Sequence, residues 1–164
     1  MLRRATAFVL ATAFMVTLGS VSHSLFVQHA WSTAAAMATG SSSVTIPLRD
    51  RVSWAAHDVT GMIVPYGSLS AIALLIAFLA AGLLARLTGR RTLVFGLAGA
   101  FAIFVLFAVL RGFLGTVGVF GARGAGLSGQ MLAGLLAGVL FAHLTAPRTA
   151  KSQPSRHRPV WRGT

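Results

Sequence analysis

A chain of 164 residues with 55% apolar and only 10% charged side chains cannot clothe a water-soluble globule, which ordinarily carries about 25% charge. Its charge is one-sided: 14 Lys and Arg stand against two acids, Asp50 and Asp58, giving a net +12. The positive residues gather at the ends of apolar runs instead of forming a basic stripe among aromatics, which argues for membrane lipids as partners and against nucleic acid. With no cysteine in the chain, disulfides, thiolate metal sites and cysteine nucleophiles are excluded.

The mean hydropathy of +0.79 is concentrated in four runs, each about one bilayer core long. The first, about 5–27, follows Arg3 and Arg4 and weakens after Ser20, Ser22, His23 and Ser24. Two readings of it stand open. One is a retained transmembrane helix; the other is a signal peptide cut near Ala36-Met37-Ala38 or Ser20-Val21-Ser22. The retained helix is carried forward here.

Residues 28–62 form the one long loop. Its first half, through Thr39-Gly40-Ser41-Ser42-Ser43, is small and polar and is predicted to be a linker. The second half predicts a short amphipathic helix over about 46–61. Leu48, Val52, Ala55, Val59 and Met62 recur at helical spacing, while Arg49, Asp50, Ser53, His57 and Thr60 fall elsewhere on the wheel. Thr45 is its expected N-cap and Pro47 falls in its first turn. Trp54 suits the headgroup zone, so this helix is expected to face outward along the membrane surface.

The strongest run, about 63–85, opens near Pro65 and ends in Arg86-Leu-Thr-Gly-Arg-Arg91, a turn too short for anything but a hairpin into the third run, about 92–110. Arg111 closes that run. Glycines 112, 115, 118, 121 and 124 then recur at every third residue, and the 112–124 stretch is read as a flexible apolar loop or a re-entrant segment. The fourth run, about 125–146, contains Gly134-Leu-Leu-Ala-Gly138, the small-xxx-small spacing that lets two helix backbones touch. Residues 147–164 are basic, proline-rich and free of acids, and predict a disordered cytoplasmic tail.

Orientation follows from the arginines and lysines. Arg3, Arg4, Arg86, Arg90, Arg91, Arg148, Lys151, Arg156, Arg158 and Arg162 fall on one side of a four-span chain; Arg49, Arg51, Arg111 and Arg123 fall on the other. The positive-inside rule then places both termini in the cytoplasm.

Few residues could carry chemistry. His57-Asp58 is an adjacent base–acid pair, but neighbours on a helix point about 100° apart. A polar helix face is the simpler reading, with an Asp near Arg51 or Arg111; a pairing of Asp58 with Arg111 would tie the first loop to the third span. His23, His29 and His57 share the outer side without a ligand-like spacing, so a haem or metal site is the weakest reading. Arg111 and Gln130 are the polar groups nearest the membrane interior, where side chains of this kind are costly and invite a functional reading. Arg111, which follows a complete span, is read first as the outer boundary of that span. Gln130, with Ser128, is expected to bond across helices.

Gly19-Ser20, Ile46-Pro47 with Asp50-Arg51, His57-Asp58 and Pro65-Tyr66-Gly67 resemble features of small bacterial four-span inner-membrane proteins of uncharacterised function. The resemblance covers roughly the first two spans. It implies the four-span layout and adds no activity.

The expected architecture is all-α: a membrane bundle of four transmembrane helices over 1–146, with an outward-facing amphipathic helix in the first loop. No catalytic, cofactor or metal residue is assigned. The expected role is a non-enzymatic structural or accessory subunit of the bacterial inner membrane, partnered by a second copy through Gly134 and Gly138 or by another membrane protein. The competing class is a small transporter or channel, with 112–124 re-entrant and Arg111 facing a pore.

Overall fold

A computed structural model describes residues 1–115, 119 and 122–147, the side chain of Leu114 excepted. Five helices are described: α1 (Leu2–Thr39), α2 (Leu48–Met62), α3 (Pro65–Thr88), α4 (Arg91–Leu114) and α5 (Ala125–Leu144). All but α2 are long and apolar enough to cross a membrane. The chain is an all-α bundle built as a multi-pass membrane protein.

The outer faces of the spans show why water is the wrong solvent. Ile72, Ile76, Leu79, Leu83, Leu97 and Phe101 are each more than half exposed, a contiguous apolar coat that a soluble monomer does not present. Inside, Met15, Tyr66, Leu74, Ile103, Phe107 and Gln130 are all under 2% exposed. The α4–α5 and α1–α5 pairings are the most extensive, and α3 packs chiefly on α4.

The helix ends follow local chemistry. Gly89, in the left-handed conformation at φ 68°, caps α3 by donating its N–H to the Ala85 carbonyl and turns the chain back into α4. Arg86 sits in the last turn of α3, where a cation complements the helix dipole. Proline opens α3, where its missing N–H costs nothing. Arg3 donates to the Ala146 carbonyl (2.8 Å) and Arg91 donates to Thr145 Oγ1, so the start of α1, the α3–α4 turn and the end of α5 meet at one arginine-rich end. The opposite end holds the second half of α1, α2 and the start of α3.

Several boundaries differ from the sequence expectation. The first helix does not stop near 27: it runs through Thr39, and the predicted linker before Gly40 is helical. Ala34, Ala35, Ala36 and Ala38 are among the strongest helix formers, and Gly40 at φ 65° supplies the left-handed cap that ends the helix. At 1.5 Å per residue α1 is about 57 Å long, nearly twice a hydrocarbon core, so its last turns extend beyond the bilayer. Pro47, not Thr45, is the N-cap of α2. Past Arg111, α4 continues one turn to Leu114 and stops at Gly115, φ 69°. Residues 116–118, 120 and 121 of the glycine-rich stretch, and the tail from 148 onward, lie outside the described residues.

Candidate functional site

The most concentrated polar chemistry inside the bundle is built around Gln130, which is fully buried on α5. Its side-chain amide donates through Nε2 to the Gly19 carbonyl of α1 (2.8 Å), and its Oε1 accepts from the Tyr66 hydroxyl of α3 (2.6 Å). One side chain therefore ties three helices. Glycine at 19 is a steric requirement: a Cβ there would lie 2.6 Å from Gln130 Oε1 and 2.7 Å from the Tyr66 hydroxyl. Ser20 and Ser70, both fully buried, flank this node along α1 and α3. An amide, a phenol and two aliphatic hydroxyls are neutral groups at any physiological pH. They hold geometry and supply neither a general base nor a nucleophile with an activating partner. Ser128, expected to join Gln130, instead donates back to the Gly124 carbonyl on its own helix (3.2 Å).

A second polar feature joins α1 to α2. Gln28 is buried on α1 and donates through Nε2 to the Arg51 carbonyl (3.1 Å), in company with Ser24 Oγ (3.0 Å). Arg51 Nε donates to the Ile46 carbonyl, which holds the approach to α2 in place (3.2 Å). Trp31 and Trp54 meet edge to face, with ring centroids 5.7 Å apart. The contact turns Ala55, Val59 and Met62 toward the bundle, whereas Leu48 and Val52 stay 76% and 61% exposed. The apolar stripe predicted for α2 is thus divided between packing on the bundle and open surface.

His57 is exposed on α2, whereas Asp58 is half-buried and lies within electrostatic reach of His23 of α1. The two neighbours do not share one environment. Nor does Asp58 meet Arg111, which donates from its guanidinium to the Ala122 carbonyl (2.6 Å). The reason is positional: that contact brings the end of α4 to the approach of α5 and leaves Asp58 to α1. His29 is exposed, and among the described residues no three His, Cys, Asp or Glu side chains gather as a metal site would require.

Gly134 and Gly138 are buried against α4 of the same chain. A Cβ on Gly134 would lie 2.5 Å from the Gly99 carbonyl oxygen and 2.7 Å from Ile103; one on Gly138 would lie 2.6 Å from the Phe95 carbonyl carbon. The sequence expectation offered this face to a second copy. The structure gives it to α4, because the matching glycines at 96 and 99 let the two backbones approach within the monomer.

Sequence reasoning missed Tyr66 and Gly19 as the partners of Gln130, and missed the α1 stripe altogether. A signal for the stripe was present: Ser20, Ser24 and Gln28 recur at four-residue intervals on one helical face, and all three are buried. No comparable spacing links residues 19, 66 and 130, which lie on three different helices. No family model, curated protein or solved structure matches this chain.

Proposed function

We propose that the chain is a bacterial inner-membrane protein with both termini in the cytoplasm, serving as a non-enzymatic structural or accessory subunit of a membrane assembly. The orientation rests on the arginine-rich end, where Arg3, Arg4, Arg86, Arg90 and Arg91 gather on the side that the positive-inside rule retains. The observation that carries the role is the division of labour among polar and apolar groups. The buried polar node closes on itself as a helix clamp, while α2 offers exposed Leu48 and Val52 beside the projecting end of α1. A rigid anchor with an apolar-edged headpiece suits recognition of another membrane protein or a second copy. The face around Gly134 and Gly138 is not the contact, since α4 already covers it.

One feature favours the competing class, a small transporter or channel. Among the described residues Arg111 Nε has no hydrogen-bond partner, and Arg111 stands in the last turn of α4 where the glycine-rich stretch begins, the place a pore-lining arginine would take. The interior filled by Met15, Leu74, Ile103 and Phe107 supports the anchor over the pore.

The natural absence of cysteine allows a direct test. Val52→Cys in native membranes, treated with a thiol-to-amine cross-linker, is expected to give a discrete adduct heavier than the monomer. Ile76→Cys on the lipid-facing side of α3 should give none. Monomer alone in both, together with solute flux in reconstituted liposomes that Arg111→Ala abolishes, would replace the accessory reading with the transport one.

A further inference from the structure

A cleft of about 700 Å³ lies between α1 and α3 at the arginine-rich end, floored by α4 and α5. Its volume is in the range of about 300–1,000 Å³ typical of small-molecule sites. The cleft has two chemically distinct parts. Arg4, Arg86 and Arg91 stand at its mouth, and its walls are apolar, with Phe8, Phe78 and Leu79 among them. The stretch of α3 that lines it, from Leu75 to Arg86, measures about 16 Å along the helix axis, roughly half of a 30 Å hydrocarbon core. The cleft is therefore about one leaflet deep.

Among the described residues the arginines at its mouth have no anionic partner. The chain has two acids, and both sit on α2, by the opposite end of the bundle. Arg91 faces the like charges of Arg3 and Arg4, and is anchored by donating to Thr145 Oγ1 and to the Ala142 carbonyl. Like charges held together beside an apolar slot call for an external counter-ion that carries its own apolar tail. We propose that this cleft binds one anionic glycerophospholipid of the adjoining leaflet, its phosphate seated among Arg4, Arg86 and Arg91 and an acyl chain laid along α3 toward Leu75. Basic pockets between transmembrane helices hold lipid headgroups on these terms.

Gly82 provides a variant that separates this site from general attraction of a basic protein to anionic lipid. It lines the cleft, and a Cβ built there meets no atom of the described residues within 4 Å, so a larger side chain enters the slot without striking their backbone. The test is native mass spectrometry of detergent-purified full-length protein, titrated with dioleoylphosphatidylglycerol and, separately, with dioleoylphosphatidylcholine. Wild type should retain one phosphatidylglycerol in strong preference to phosphatidylcholine. Arg4→Gln with Arg86→Gln should weaken that adduct about 30-fold, the worth of two arginines near an anionic headgroup. Gly82→Phe should remove it with the arginines intact and with helical circular dichroism unchanged. Inorganic phosphate should not compete, since it lacks the tail. The proposal is overturned if Gly82→Phe keeps the adduct, which would reduce the arginines to a diffuse electrostatic surface, or if the two lipids bind alike.

Discussion

Gly138→Leu is expected to pry α4 from α5 and leave the protein unable to accumulate as a folded species. The built Cβ already lies 2.6 Å from the Phe95 carbonyl carbon and 3.0 Å from Gly96 Cα. Backbone, unlike a flexible side chain, cannot swing aside. Overpacking a well-filled interior commonly costs about 1–3 kcal/mol, and a clash with the facing backbone of α4 falls at or beyond the upper end. Gly134→Leu meets the same obstacle at Gly99 and should behave alike. Gly112→Ala is the control: it lies in α4 with no atom of the described residues within 4 Å of the added carbon, and should gain up to about 1 kcal/mol from helix propensity. Thermal unfolding in mild detergent, followed by size-exclusion chromatography, reads all three. A monodisperse Gly138→Leu with wild-type melting would mean that α4 and α5 do not pack as described.

The Gln130 clamp gives the second large effect, and its signature lies in a comparison of single and double variants. Gln130→Met removes both interhelical hydrogen bonds at nearly constant volume and leaves the Tyr66 hydroxyl without its amide acceptor. Leaving a buried polar group unsatisfied costs about 1–3 kcal/mol, whereas replacing both partners by apolar groups of similar shape can be nearly neutral. Tyr66→Phe combined with Gln130→Met should therefore be more stable than Gln130→Met alone. The coupling between the two positions, measured by unfolding in rising mole fractions of dodecyl sulfate, should be about 0.6–2 kcal/mol. Strict additivity would show that the 2.6 Å contact between the two side chains carries no energy.

What could be read from the sequence divides along physical lines. Spans are a local property, so length and hydropathy locate them, and Arg86 to Arg91 makes the α3–α4 hairpin unavoidable. The extent of α1 was hidden because Thr33, Thr39 and the serines after Gly40 read as a linker, while the alanines between them hold the helix together. Small-xxx-small spacing at Gly134 and Gly138 announces a close approach and is silent about which helix approaches. That answer depended on the glycines at 96 and 99, whose role emerges only once α4 and α5 lie side by side. The Gln130 clamp and the arginine-flanked cleft are non-local in the same sense. Each is assembled from residues on three or more helices, and no spacing along the chain encodes it.

The central claim is that these helices thread a membrane with the arginine-rich end inside. Because the chain lacks cysteine, single substitutions report on it cleanly: Ser42→Cys between α1 and α2, and Thr88→Cys at the end of α3, both exposed positions. Intact cells in which the membrane that holds the protein is accessible from outside are treated with a membrane-impermeant maleimide. Labelling at position 42, with position 88 protected until that membrane is broken, is the predicted result. Equal labelling of both in intact cells, or labelling of 88 alone, would contradict it.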